Sequence, residues 1–504
     1  MKQFWTPSRT HASRFCAIRG GVSALIVAGL FLGSGCTVGP DFVVPAAPAP
    51  QRYTAEPVAV ATADTDVPAL WWDLFQSPAL SRLVALALQN NPGVEAAQAA
   101  LNAANESVAA QRGTFFPQVS AATASSRQGI SPALASPVTS NQYTFNLHTP
   151  QLDITYAPDV FGGNRRLLES QQAQAETQHF LYEATRLTLA ANVVLAAVNE
   201  ASLRGQIAAG NDTVELQQRQ LAQLKRQLKL GAIGVGDVAA QESLLAQTQG
   251  ALLLLDKQLA LLRNQLSTLI GRRPDEALPE RFELDDLVLL PTVPLSLPSR
   301  LADHRPDIRA ARAQLQAASA QVGVAVAARL PAITLSANAG SSALTLGSLF
   351  GPGTGFWAVG AGLTQPLFDA GTLRHRQRAA EALYVQAEAQ YRGAVIGAFQ
   401  NVADALQALD SDTRMTVSAA QFEDAARRAL RAAQHRFDAG DTGLFEVLSA
   451  QMVERQAKSA SVQARASRYA DTVALLQALG GGWWNAPATA SIEPQTQSSP
   501  PRAN

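Results

Sequence analysis

The chain has 504 residues, and 40 basic residues balance 40 acidic ones, so no basic surplus points to nucleic acid. Only 16% of residues are charged, and Ala, Gln, Leu and Ser are prominent. That composition suits long helices packed through small side chains, and the length admits several domains or one large repeated architecture.

Residues 1–35 carry Lys2, Arg9, Arg14 and Arg19, no acid, and then the apolar run Gly20–Gly33, which is short for a bilayer span. A basic stretch followed by such a run reads as a secretory signal. Without it, 36 basic residues face 40 acidic ones, a net charge of about −4. Cys36 is then the one cysteine left, and no internal disulfide is possible. A lone cysteine directly after Gly33-Ser34-Gly35 resembles a bacterial lipoprotein acceptor. That resemblance implies a diacylglycerol and an N-acyl chain on Cys36. Ordinary leader cleavage beside an incidental cysteine is the alternative.

Residues 36–80 are rich in Pro, Ala and Val without sustained period and read as an N-terminal extended strap. Trp71, Trp72 and Phe75 lead into a first repeat, 81–271, and a second repeat follows at 296–484 after a linker at 272–295. The duplication is visible directly: Asn91–Pro117 and Arg305–Pro331 align without a gap, matching Pro92 with Pro306, Leu101 with Leu315, Val108 with Val322 and Pro117 with Pro331. In each copy a helix, starting in the first at Asn91-Pro92 and ending near Gly113, precedes a hairpin, 117–156 or 331–366. The strands are expected at 118–126 and 143–156, then 332–340 and 356–366. In 143–156 the apolar phase shifts near Thr149-Pro150, which suggests a bulge. Long helices are predicted at 164–229 and 372–438, and shorter return helices at 236–270 and 444–479. Residues 485–504 read as a disordered tail.

Within each copy the leading and return helices are each about half the long one. They can therefore stack end to end beside it, giving two helical tracks and two strands per copy. Four strands cannot close a barrel, and an open edge in lipid leaves backbone groups unpaired at several kcal/mol each. If the hairpins lie in a membrane, the chain must oligomerise; soluble hairpins are the other possibility. The leader, the lipid site and the lack of any other spanning segment favour the membrane.

Cys36-Thr-Val-Gly-Pro-Asp-Phe42, Trp71-Trp-Asp-Leu-Phe75, Arg305-Pro-Asp-Ile308, Pro366-Leu-Phe-Asp-Ala-Gly371 and Ala478-Leu-Gly-Gly-Gly-Trp483 resemble, in order, the signatures of TolC/OprM-type outer-membrane efflux lipoproteins (outer membrane factors, NodT-like). The resemblance implies a mainly α fold with a membrane β-barrel part. A homotrimer would complete a 12-stranded barrel in the outer membrane of a Gram-negative bacterium, above a periplasmic α-helical barrel. It also implies a passive duct rather than an enzyme. Its partners would be outer-membrane lipid, a periplasmic adaptor (membrane fusion) protein and an inner-membrane pump of the proton-driven kind. By the family pattern, the turn after the second long helix narrows the pore, with Phe437 as its aromatic residue and Glu446 as its first acid. Asp441 lies in the same turn, and Asp237 stands opposite Glu446 in the first copy. Gly231, Gly234, Gly440 and Gly443 would mark adaptor-docking turns. A carboxylate ring favours cations, whereas acids that begin helices can simply be caps.

Other motifs carry less. The six His residues are scattered, with no i, i+4 pair, so no metal site is expected. His304-Arg305-Pro306-Asp307 lacks every companion of a kinase loop. Gly351–Gly355 has no Lys-Ser/Thr or helix after it, so it is no phosphate cradle. Trp483-Trp484 reads as a packing anchor. Competing functions are a duct for type I protein secretion and, from another class, a soluble periplasmic coiled-coil adaptor or scaffold.

Overall fold

The structure is a computed structural model that describes residues 37–45, 52–56, 58, 62–63, 65–133, 142–276, 278–290, 292–295 and 300–485. Cys36, the leader and residues 486–504 of the tail lie outside them, whereas Asn485 closes a short turn and donates to Val67 O (2.9 Å). The labelled elements in chain order are α1 (Pro78–Asn90), α2 (Pro92–Gly113), β1 (Gln118–Gly129), β2 (Thr144–Tyr156), α3 (Gly163–Lys229), α4 (Val235–Leu269), α5 (Pro306–Ala327), β3 (Ala332–Ser341), β4 (Gly355–Thr364), α6 (Thr372–Asp438) and α7 (Leu444–Ala478). Duplication is visible in the lengths. α2 and α5 have 22 residues each, α3 and α6 have 67, and α4 and α7 have 35.

The chain divides into two compact units. The first takes in the described residues within Met1–Val44, Ala103–Ala175 and Ala313–Glu388 and holds the four-stranded sheet. Its order is β1-β2-β3-β4, antiparallel throughout. No bulge interrupts β2. The β1–β2 ladder runs unbroken from Gln118↔Thr155 to Gly129↔Thr144, with Thr123 opposite Pro150. Toward β3 the ladder stops at Gln151↔Gly340 and resumes at His148↔Ala343 in the same register. Pro150 explains the gap, because it has no N–H to offer across from Ser341. The shift in apolar phase therefore marks a change of face and not an extra residue.

At the foot of the sheet both long helices are capped by aspartate. Asp159 accepts from the amides of Asn164 (3.0 Å) and Arg165 (2.9 Å). Asp369 accepts from Leu373 (2.7 Å) and Gly371 (2.9 Å), and these backbone donors hold its carboxyl below the ordinary value. The start of the strap is clamped by Arg166, which donates to Val38 O (3.1 Å) and pairs with Asp41 (2.6 Å). Gly39 lies against Gly323 so closely that a Cβ would come within 2.4 Å of its Cα.

The second unit takes in the described residues within Pro45–Asn102, Glu176–Arg312 and Ala389–Asn504. Here leading and return helices meet end to end. Asn91 Nδ2 donates to Leu269 O (2.8 Å) at the α4–α2 junction, and Arg305 Nη1 donates to Ala478 O (3.0 Å) at the α7–α5 junction. Gly271 and Gly480 make these junctions possible. Both have positive φ, and a Cβ on either would strike the backbone of Asn90 or His304.

The extended reading of residues 36–80 omits a short helical turn at Trp71–Phe75 and the start of α1 at Pro78. Pro78 opens α1, and Leu80, Leu83, Val84 and Ala87 fall on one buried face. The linker is also structured. Glu200, fully buried on α3, accepts from Arg204 and Arg263, and Arg263 continues to the carbonyls of Leu278 and Glu280. One stretch of α3 is long and apolar enough to cross a membrane by composition, although 44% of it is buried in the protein. The expectation of no further candidate span is corrected accordingly.

Candidate functional site

Strict alternation and the observed register sort the side chains of the sheet into two faces. Residues directly opposite share a face, so one face carries Val119, Ala121, Leu152, Ile154, Tyr156, Ile333, Leu335, Ala337, Trp357, Val359, Ala361 and Leu363. The other carries Gln118, Ser120, Gln151, Asp153, Thr155, Thr334, Ser336 and Asn338, with Phe145, Leu147 and Phe356 toward the loop end. From Leu363 to Trp357 the apolar band spans seven residues of β4, six steps of about 3.3 Å or about 20 Å. This approaches the height of the apolar belt on membrane barrels, roughly 25 Å. Among the described residues, the two outer strands, β1 and β4, have no partner on their far side. Nearly every residue of both is exposed. A sheet with one oily face, one polar face and two open edges fits a segment of a closed barrel wall.

The other candidate region is the pair of turns at the ends of α3 and α6, both in the second unit. Gly231 (φ 73°) and Gly440 (φ 82°) take the left-handed conformation that ends each long helix. Ala232 N donates to Gln227 O, and Asp441 N to Arg436 O, closing equivalent turns. Gly234 and Gly443, both extended, then begin the return helices. A Cβ placed on Gly231, Gly440 or Gly443 would meet nothing within 4 Å.

The acids divide in role. Asp237 folds back to accept from Gly234 N (3.1 Å), while its own N–H donates to Gly234 O (3.2 Å), so its carboxylate is engaged as a helix cap. Glu446 pairs with Arg436 (2.7 Å) across the second turn. That pair is half exposed, and Glu446 is held by a cation of its own chain. Asp441 is exposed. Phe437 packs between the small cores built on Leu224, Val238 and Leu444 and on Leu430, Ala433 and Val447. In the first copy Leu228 occupies the corresponding place.

Sequence reasoning passed over Phe445, one residue before Glu446 and 84% exposed, and Leu230 in the first turn, also 84% exposed. Gly236 stands where the first copy would have Phe445, so only the second turn presents an aromatic side chain to its surroundings. The signal was available, since an apolar residue at the first exposed position of a helix has no core to serve. Trp483 donates to His304 O (2.8 Å), and Trp484 stacks on the His304 ring at 3.8 Å, which are packing contacts. Among the described residues no group of His, Cys, Asp or Glu is arranged to hold a metal.

One further titratable pair was not legible in the sequence. Asp471 on α7 hydrogen-bonds to Asp412 on α6. Burial first, then the bond and negative charge of Asp412, lift Asp471 to about 6.

The outer membrane efflux protein family model matches residues 83–272 and 297–481, once in each repeat. The pyoverdine export outer membrane protein OpmQ of Pseudomonas aeruginosa is 31% identical over 464 residues, 91% of this chain and 96% of the relative. The toluene efflux pump outer membrane protein TtgF of Pseudomonas putida is 30% identical over 466 residues, 90% and 95% of the two lengths. The solved structure of the outer-membrane channel OprN superposes with a TM-score of 0.83 at 29% identity, covering 89% of this chain and 100% of that one. With its duplicated helical framework and its two-faced sheet, this chain belongs to the outer membrane efflux protein family.

Proposed function

We propose that this protein is the exit duct of a tripartite efflux system. It would pass small molecules outward after an inner-membrane pump, proton-driven, delivers them through a periplasmic adaptor. The observation that carries this reading is the sheet with an apolar face, a polar face and two unpaired edges. In lipid those edges must be satisfied. Three copies joined β4 to β1 would supply twelve strands, an even number within the range of bacterial membrane barrels. The polar face, rich in Gln, Ser, Thr and Asn, would then line a permissive lumen. Selection among substrates would fall to the pump. An acyl anchor on Cys36 is consistent with the clamp at Val38–Asp41, which holds the strap at the foot of the sheet.

The helical turns serve as the periplasmic gate in this reading. Glu446 with Arg436 at the second turn is the stronger candidate, and Asp237, already engaged as a cap, the weaker. Phe437 braces the second turn and Asp441 lies open beside it. Gly231, Gly234, Gly440 and Gly443 keep both turns narrow enough for an adaptor to dock. In planar bilayers, Glu446→Ala is expected to change single-channel conductance or cation preference of the reconstituted oligomer. Wild-type behaviour in both would reduce Glu446 to a helix-start residue.

A further inference from the structure

The loop joining β3 to β4, residues 342–354, is ordered by hydrogen bonds within itself and between Ala343 and His148 of β2, and contains no charged residue. Ser341, the last residue of β3, is buried; it donates to Thr354 Oγ1 (2.8 Å) and accepts from Phe350 N (3.2 Å). Thr354 donates to Gly351 O (2.9 Å), and Ser342 N to Thr354 O (2.8 Å). Phe350 is held at φ 64°, a left-handed conformation that a bulky side chain adopts only under constraint. Despite that constraint the residue is 80% exposed.

The parity of β3 says which way the loop folds. Ser341 shares its face with Leu335, Ala337 and Ala339, and through the β3–β4 register with Trp357, Val359 and Leu363. A loop amide bonded to Ser341 Oγ therefore lies on the apolar side of the sheet. Trp357, 77% exposed, sits one row below, since Ser341 pairs with Gly355 and Ala339 with Trp357. The Phe350 backbone thus lies at the loop end of the sheet on the same side as Trp357, at the margin where membrane barrels carry their interfacial aromatic girdle. Strain that presents a ring to water would be selected against; strain that presents it to lipid is offset by burial of the ring.

We infer that the 342–354 loop folds back against the membrane and inserts Phe350 among the acyl chains of the leaflet at the loop end of the sheet. On the β3–β4 side of the sheet it extends the apolar band upward past Trp357 and leaves the mouth of the duct clear. This inference rests on the sheet lying in the membrane with its apolar face to lipid.

The test uses the full-length oligomer in dioleoylphosphatidylcholine vesicles, with a nitroxide on Phe350→Cys. Leu363→Cys on the apolar face and Asn338→Cys on the polar face serve as references. Collision rates with oxygen and with a water-soluble nickel chelate place each label. Phe350→Cys is expected to follow Leu363→Cys, with oxygen favoured over nickel. A label that follows Asn338→Cys, or that is open to nickel on every side, overturns the inference. If the two references do not differ, the barrel reading itself fails. Should the cysteine variant not assemble, Phe350→Trp in vesicles of brominated lipid gives the same answer. Added quenching beyond the wild-type tryptophans supports insertion, and none refutes it.

Discussion

Asp471→Asn probes a contact that no sequence motif announces. In the folded chain Asp471 holds its proton up to about pH 6, against 3.8 for an ordinary aspartate, because it is half buried beside Asp412. Each tenfold gain in proton affinity corresponds to roughly 1.4 kcal/mol, so the ceiling is about 3 kcal/mol. Half exposure and solvent screening bring the expected contribution to roughly 1 kcal/mol. The sign follows from which state keeps the proton. Below pH 3.8 both folded and unfolded chains are protonated, and the contribution is fully present. Between 3.8 and 6 the folded chain alone holds the proton, so stability falls as pH rises. Above 6 the contribution is lost. Thermal unfolding of the detergent-solubilised oligomer, followed by circular dichroism from about pH 4 to 8, reads this directly. The difference between wild type and Asp471→Asn should grow in favour of the variant from about pH 4 to 6.5 and then level off. The substituted amide would carry no charge and could still donate to Asp412. Parallel curves for the two proteins across that window would refute the shared-proton argument.

Two further outcomes are expected. Gly440→Ala forces a Cβ onto a residue at φ 82° with open space around it, so only backbone strain of about 1 kcal/mol opposes it. Gly440→Asn, which tolerates that conformation, should lower the unfolding temperature less. Cys36→Ala should abolish incorporation of labelled palmitate and alter electrophoretic mobility; unchanged mobility and membrane association would remove the lipid anchor.

Much of the architecture could be read from the residues. Pro92 and Pro306 start equivalent helices, and Gly231 and Gly440 end equivalent ones, because proline and left-handed glycine act locally whatever surrounds them. Alternation within Ala332–Ser341 was legible for the same reason, since the period of a strand is a property of the backbone. α1 went unread because Pro78 sits at the end of a proline-rich stretch, and only packing of Leu80, Leu83 and Val84 reveals its buried face.

The sequence by itself determined the duplication, the helical lengths and the existence of two hairpins, all of which depend on spacing along one chain. Tertiary structure decided what depends on partners far apart in that chain. It showed that the phase shift at Pro150 is a change of face, because β1 and β3 keep their register on both sides of it. It separated Asp237, a cap, from Glu446, an ion pair with Arg436, although both acids open a return helix in the same relative place. It joined Asp412 to Asp471 and turned Phe350 toward Ser341. In each case the deciding energy is a contact between segments, and a linear pattern does not record which segments meet.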